Sequence, residues 1–159
     1  MGMTGKYIAV DDAALKRIID GDQGILSTDT QQYPALDIDK SWHALYHILC
    51  YDSDEENSSM EYVLPMTNDS FIECETDFSA FYITAEQVKA GADALALLDD
   101  DTFQKLYDFE WLKENEVYPI TEEDTEDGFY SYIHPYLAQL KQYFQQAAQQ
   151  GSAMVFYIM

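Results

Sequence analysis

The segment Phe78-Ser-Ala-Phe-Tyr-Ile-Thr-Ala-Glu-Gln-Val88 has the clearest secondary-structure signal in the chain. Its first part, 78–83, is rich in aromatic and β-branched side chains and predicts a strand. Thr84 and Gln87 have the spacing of a capping box, in which each side chain bonds the other residue's backbone N–H, so we expect a helix over 85–98. A strand that leads directly into a capped helix favours a small sheet packed by helices.

A similar order of elements stands near the start of the chain. Residues 7–10 predict a short strand, and Asp11 can accept backbone N–H groups at the start of a helix over 12–20. Gly21 suits the left-handed position that follows the last turn of a helix. The capping pattern shared by the two segments explains their similarity as well as an internal duplication does.

Asp101 with Gln104 predicts the start of a short helix over 101–109. Apolar residues at helical spacing predict two longer helices, over 38–51 and through 129–148 to a stop at Gly151. In the last of these, Pro135 either kinks the helix or opens a separate one at its first turn. The remaining predictions are strands over 62–64 and 153–158, a long loop over 21–37 and a solvated turn over 52–59. Together these elements predict one α+β domain over 1–159, with a small, mainly antiparallel sheet packed by several amphipathic helices.

The charge of the chain excludes some kinds of partner. Its 159 residues include 30 acidic and 8 basic side chains, a net charge of −22 with neutral histidines. Such a surface repels nucleic-acid phosphates and anionic lipid headgroups, so we expect neither nucleic-acid nor membrane binding. Hydrophobic residues make up 47% and aromatic residues 14%, enough for a sizeable core and unlike a disordered acidic chain.

The cysteine content and the start of the chain indicate the cellular compartment in which we expect the protein. The first residues contain no apolar leader, and no stretch approaches the roughly 18 apolar residues of a membrane-spanning helix. Cys50 and Cys74 are the only cysteines. One pair in a chain with a full core suits reduced thiols better than a disulfide framework, so we expect a cytoplasmic protein.

The densest polar cluster on a predicted helix is Leu36-Asp-Ile-Asp-Lys-Ser-Trp-His-Ala-Leu45. Asp39 and His43 are four residues apart, which places them on one helical face, where the carboxylate can orient the imidazole and raise its pKa. Lys40 lies three residues before His43, and Trp42 supplies an apolar wall. This grouping is typical of a general acid/base or anion site, so Asp39, Lys40 and His43 are candidate catalytic residues.

The same cluster has a structural interpretation. Asp37 suits an N-cap, Asp39 complements the helix dipole in the first turn, and Trp42 belongs to an apolar stripe with Leu45 and Leu49. As a binding site rather than a catalytic one, the cluster would offer Asp37, Trp42 and His43. The sequence leaves the structural and the functional interpretations open.

Motifs for metals and cofactors are weak. His43, His47 and Cys50 share one side of the predicted helix, but a zinc site needs further ligands, and His134 has no ligand spacing around it. The acidic runs lack the alternating oxygen ligands and central glycine of a calcium loop. Phosphate loops, dinucleotide motifs and nucleophile elbows do not occur, and Arg17 is the only arginine for an anionic substrate. We predict neither a metal nor a cofactor.

Tyrosines are unusually dense on the predicted C-terminal helix. Tyr130, Tyr132, Tyr136 and Tyr143 occupy more aromatic positions than one buried stripe needs. Exposed tyrosines among acidic residues suit a protein-binding surface, where aromatic side chains anchor a partner and charges steer it. Tyrosines that only cover the edge of the core are an equal alternative.

Several sequence blocks occur in an order typical of one family. They are Met1-Gly-Met-x-Gly-x-Tyr7, Leu36-Asp-Ile-Asp-Lys-x-Trp-His-Ala-Leu45, Tyr82-Ile-Thr-x-Glu-x-Val88, Val117-Tyr-Pro119 and the amphipathic helix with Gly151 and a final strand. The chain resembles the YfbM-like family (domain of unknown function 1877), small bacterial proteins of uncharacterised function. The resemblance covers nearly the full chain and implies a single α+β domain without an established activity or cofactor.

The chain departs from the family pattern at two places. Tyr46-His47 reverses the His-Tyr order that is frequent in the family, and a one-residue shift turns a helical side chain by about 100°. The segment 69–77 contains no glycine, where the family tends to be glycine-rich. A role that requires both His43 and His47 is therefore not implied by the resemblance.

Three hypotheses for function follow. The leading one is a non-catalytic protein that binds a basic protein partner through its acidic surface, for example as an inhibitor or an immunity-like protein. The rival is a small enzyme with His43 as general acid/base and Asp39 as the residue that orients it. A third, in which the charge serves only solubility or high-salt adaptation, ranks lower because large aromatic residues are abundant.

Overall fold

The computed structural model describes residues 2–25, 33–50, 59–66, 68–73 and 79–159. Within these ranges, five strands form one antiparallel sheet in the order β2-β1-β5-β4-β3. In chain order they are β1 (Gly5–Val10), β2 (Ala35–Asp37), β3 (Phe71–Ile72), β4 (Ser79–Ile83) and β5 (Ala153–Ile158). The predicted α+β class with a small antiparallel sheet is confirmed.

The central strand β5 is buried along its whole length. Successive side chains of a strand point to opposite faces of the sheet. Accordingly Met154, Phe156 and Ile158 join one hydrophobic cluster, while Ala153, Val155 and Tyr157 join another on the opposite face. A strand covered on both faces explains why 153–158 is an uninterrupted apolar run.

Helices cover both faces of the sheet. The structure forms α1 (Asp12–Ile19), α2 (Trp42–Cys50), α3 (Ala85–Leu97), α4 (Asp100–Leu106), α5 (Phe109–Glu114) and α6 (Glu126–Gln149). The buried residues of α1 pack in the smaller cluster, and those of the other five helices pack in the larger one. None of the described helices is long and apolar enough to cross a membrane.

The predicted helix caps form as expected. Thr84 and Gln87 make both bonds of the capping box, at 3.0 and 3.2 Å, and Asp11 accepts the N–H of Ala14 at 2.7 Å. Gly21 has a φ of +81° after α1, a conformation that side chains with a Cβ rarely adopt. These local signals fix where α1 and α3 begin and where α1 ends.

Pro135 lies inside α6, which continues through it as one helix. A proline in a helix leaves the carbonyl four residues earlier without its N–H partner. Both Pro135 and Ser131, which carries that carbonyl, are exposed, so water can bind the freed oxygen. The predicted alternative of a separate helix opened by Pro135 is wrong.

Other predicted elements differ from the structure. Residues 62–64 are not a strand, because the N–H of Val63 donates to Met60 O at 3.0 Å at the end of a 3₁₀ turn over Ser59–Tyr62. The apolar character of Val63 and Leu64 comes from burial under α3 and α6 rather than from sheet pairing. The segment predicted as a loop over 21–37 contains strand β2 at its end. The predicted turn over 52–59 lies outside the described residues except for Ser59, and Cys74 also lies outside them.

The acidic run at 99–101 starts its helix earlier than predicted. Asp99 is the N-cap of α4, and its side chain accepts the N–H of Thr102 at 2.7 Å. The helix ends at Leu106, and a second short helix, α5, begins after Asp108, whose side chain accepts the N–H of Trp111. The predicted elements include no counterpart of α5, which forms one wall of the candidate site.

Candidate functional site

The predicted pair of Asp39 and His43 does not form. Asp39 lies in a 3₁₀ turn (Asp39–Ser41) with a φ of +51°, before α2 begins at Trp42, so the helical i, i+4 geometry does not apply. Its carboxylate instead accepts a hydrogen bond from the Tyr132 hydroxyl of α6 at 2.6 Å. Within the described residues no hydrogen bond joins Asp39 to His43, and the expected orienting role is corrected.

The other polar groups of the 37–43 segment are also held by neighbours. Asp37 accepts the N–H of Asp39 at 2.8 Å and lies 4.0 Å from the ammonium of Lys6. The backbone N–H of Lys40 donates to the Tyr132 hydroxyl at 3.2 Å. The bond to Tyr132 fastens the turn to α6, and the N–H of Ile38 donates to Gly5 O of β1 at 3.0 Å. The predicted N-cap role of Asp37 is wrong, because Ile38 precedes the 3₁₀ turn without a side-chain capping bond and α2 has no acidic residue in its first turn.

Trp42 packs in the core and holds the start of the chain. Its side chain is 8% exposed, and its indole N–H donates to Met3 O at 2.9 Å. A Cβ at Gly5 would lie 2.9 Å from the Cβ of Trp42, so β1 approaches α2 as closely as glycine allows. Trp42 therefore joins α2 to the first strand.

His43 and His47 form a hydrogen-bonded pair on α2. Their Nε2 atoms are 3.1 Å apart, and the backbone N–H of Tyr118 donates to His43 Nδ1 at 3.1 Å. Since Nδ1 accepts a bond, a neutral His43 carries its proton on Nε2 and donates to His47, which then holds its own proton on Nδ1. The partners thus assign the tautomer of both rings.

The environment keeps this pair neutral. Partial burial lowers the pKa of His43 below its usual 6.5, and the neighbouring His47 lowers it further. Partial burial also lowers the pKa of His47. Desolvation disfavours the charged imidazolium, so both rings are neutral at pH 7.

The pair does not offer a metal site in this arrangement. Both nitrogens of His43 are used in hydrogen bonds, and burial raises the pKa of the Cys50 thiol to about 12, so it holds its proton. His134 lies elsewhere, 3.1 Å from a carboxylate oxygen of Asp100. Over the ranges that the structure covers, no three His, Cys, Asp or Glu side chains come together in a way that could hold a metal ion.

A cleft of about 440 Å³ opens between α2 and the helices α4 and α5. It is lined by His47 and Ile48 of α2, Lys105 and Leu106 of α4, and Asp108, Trp111 and Leu112 at α5. The ring centroids of His47 and Trp111 are 5.4 Å apart. Of the sequence-predicted site residues none lines this cleft; His43 reaches it only through its bond to His47.

Most of the cleft lining comes from the most acidic segment of the described chain, residues 99–127, whose exposed surface we call the acidic face. These residues carry twelve carboxylates and two lysines, a net charge of −10. All of the carboxylates are exposed except that of Asp124, which is half-buried. Sequence reasoning missed Lys105, Asp108 and Trp111; a tryptophan between acidic residues was the available signal.

The fold and the cleft define an acidic α+β protein with a five-stranded antiparallel sheet and no motif of a known reaction. The family model described as a domain of unknown function (DUF1877) matches residues 1–157. The chain therefore belongs to that family, which confirms the resemblance found in its sequence.

One solved structure has the same fold over nearly the whole chain. It is YfbM from Escherichia coli, a protein of unknown function, with 22% sequence identity and a TM-score of 0.74. The similarity covers 98% of this chain and 99% of the other. No curated protein matches the chain.

Proposed function

We propose that this protein is a non-catalytic cytoplasmic binding domain whose acidic face docks a basic protein. Five of the seven residues that line the cleft belong to the acidic segment 99–127, and this is the observation that carries the proposal. An inhibitor or an immunity-like protein is one form of this function, because carboxylates on such a surface can occupy a site that otherwise binds phosphates.

The cleft has the composition of a protein-binding site. Ile48, Trp111 and Leu112 give it apolar walls, and Leu106 on its rim is 45% exposed. Binding energy in protein interfaces concentrates in such apolar centres, while the charged rim steers the partner and sets its sign. The excess of carboxylates over residues 99–127 favours a basic partner.

A second groove offers less to such a partner. It measures about 410 Å³, lies between α3 and α6, and presents Lys89 and Lys141 against Asp93. Its local charge is positive, so it repels a basic protein.

Acid/base catalysis by Asp39 and His43 has less support. Each side chain is bonded to a different partner, Tyr132 and Tyr118, and the cleft is lined by His47 instead. A general base must reach a substrate proton, so the rival hypothesis would have to move to His47.

Two variants that remove equal charge test the proposal. The face variant carries Glu110→Gln, Glu114→Gln and Glu122→Gln, and the control variant carries Asp12→Asn, Asp20→Asn and Asp22→Asn at α1; all six residues are exposed. With an oligo-arginine peptide at low salt, we expect the face variant to lose about tenfold in affinity and the control less than about twofold. From a native lysate, the wild type and the control should recover the same salt-eluted basic protein, and the face variant should not.

Equal losses in the two variants would contradict the proposal, because they would mean that net charge alone attracts the peptide. Recovery of no salt-eluted protein by the wild type would count equally against it. Circular dichroism of all three proteins establishes that each one is folded.

A further inference from the structure

His47 belongs both to the cleft and to the histidine pair. We propose that the cleft takes a lysine or arginine side chain of the basic partner, and that this cation and a proton on the pair exclude each other. The partner is then held at neutral pH and released in acid. This inference rests on the proposed function, since it describes the same docking site.

The hydrogen bonds of the pair require that both rings are neutral. A second proton on His47 at Nε2 would face the Nε2–H of His43, 3.1 Å away. A proton on His43 Nδ1 would face the N–H of Tyr118. Since two donors cannot bond each other, protonation at either place breaks one of the two hydrogen bonds.

The cleft supplies what a cationic side chain needs. The indole of Trp111 attracts a cation through its ring face, and the exposed carboxylate of Asp108 lies on the same cleft. Ile48 and Leu112 can cover the aliphatic stem of a lysine or arginine, whose charged end stays near water. A side chain seated there lies next to the imidazole of His47.

The charged and titratable groups around the pair decide the sign of the coupling. Among the described residues they include Tyr46 and Cys50 of α2, Glu61 near Cys50, Lys105 of α4, Asp108 before α5, and Tyr118 after α5. Lys105 and Asp108 balance each other at the cleft, and Cys50 holds its proton. One proton on the pair therefore makes the cleft positive and repels the incoming cation.

Coupling of this kind acts in both directions. If a proton weakens binding of the cation, the bound cation must lower the proton affinity of the pair by the same factor. Binding should therefore release protons in mildly acidic solution, where the free pair begins to titrate.

Calorimetric titration with an oligo-arginine peptide tests the coupling between about pH 7.5 and 5.5, a range in which ordinary carboxylates stay ionised. For the wild type we expect the dissociation constant to rise about three- to tenfold as the pH falls. His47→Gln retains an acceptor for His43 but does not titrate, so its affinity should change less than about twofold. His134→Gln is the matched control, because His134 lies beside Asp100 and does not line the cleft.

The two proposals fail in different ways. If the face variant and the α1 control bind the peptide alike, the docking site itself is wrong. If binding localises to the acidic face but His47→Gln keeps the full pH dependence, or His134→Gln removes it, the coupling is wrong and the docking site stands. Proton NMR of the wild type gives a measurement without substitution: the pKa of the His47 ring should fall when the peptide binds, and an unchanged pKa overturns the coupling.

Discussion

The 37–43 segment and the cleft at Trp111 are the two regions of this molecule with concentrated chemical groups, and they use those groups differently. In the first, Asp37, Asp39 and the Trp42 indole bond other parts of the same chain. In the second, Lys105 and Asp108 are exposed on an open cavity, and Asp108 also accepts the N–H of Trp111. Polar groups that already bond within the chain are less available to a partner, which is why we propose docking at the cleft and not at the 37–43 segment.

Among the changes that distinguish the two regions, Trp42→Ala is expected to have the largest effect, which is a loss of folding stability. This change removes a buried indole and its bond to Met3, and large-to-small changes of this kind cost about 3–5 kcal/mol. Urea denaturation should show that loss, while the fraction that remains folded binds the oligo-arginine peptide as the wild type does. Weaker binding by the folded fraction would mean that the 37–43 segment takes part in docking.

Trp111→Leu should give the opposite result. Leucine keeps apolar contact with the core but lacks the ring face, so we expect stability to change little and peptide affinity to fall about tenfold, or about 1.4 kcal/mol. Calorimetry measures the affinity and denaturation the stability. Unchanged affinity would remove Trp111 from the proposed docking site.

Tyr132→Phe should lower the free energy of unfolding by about 1 kcal/mol. The change deletes the hydroxyl that joins Asp39 to the N–H of Lys40, two bonds that fasten the turn to α6. Tyr136→Phe is a control on the same helix. An activity or affinity that falls while stability is unchanged would restore a functional role for Asp39.

The histidine pair is expected to have a smaller effect, which is to make the folding stability of the protein depend on pH in the acidic range. Because the folded pKa of His43 and His47 is lowered, the unfolded chain binds more protons than the folded one below pH 6.5. The contribution of the pair to the free energy of unfolding is therefore complete above pH 6.5. It declines as the pH falls from 6.5 towards the lowered pKa of the folded protein. Denaturation at a series of pH values should show a steeper decline for the wild type than for His47→Gln; parallel curves would mean that the pair is not coupled to folding.

The smallest effect belongs to Lys105→Gln. This change removes the exposed cation that lines the cleft, so the oligo-arginine peptide should bind about two- to threefold more tightly. Lys113→Gln, on the acidic face outside the lining, removes the same charge and should have less effect. Equal gains for the two variants would mean that the peptide does not enter the cleft.

Local signals in the sequence predicted much of the fold. Thr84 with Gln87 and the apolar run 153–158 depend on neighbours close in the chain, and the structure places both elements as predicted. Strand β3 has two residues, too few for any periodicity. The helix start at 38 was wrong because the turn at Asp39 depends on α6, 93 residues further along the chain.

The candidate site was harder to predict for the same reason. The N–H that sets the tautomer of His43 comes from Tyr118, 75 residues away. Lys105, Asp108 and Trp111 come together with His47 only because α4 and α5 pack beside α2. Contacts between distant segments are decided by packing, so the tryptophan among acidic residues in 99–114 gives no indication that His47 lies beside it.

The central position of β5 also has a consequence for how the chain folds. Residues 153–158 pair with 5–10 on one side and with 79–83 on the other, so β1 and β4 are joined in the sheet only through this strand. Pairing segments so far apart costs loop-closure entropy before any contact repays it, which slows folding. Until β5 docks, β1 and β4 each present an unpaired edge, and the time before docking is when this protein is most exposed to aggregation.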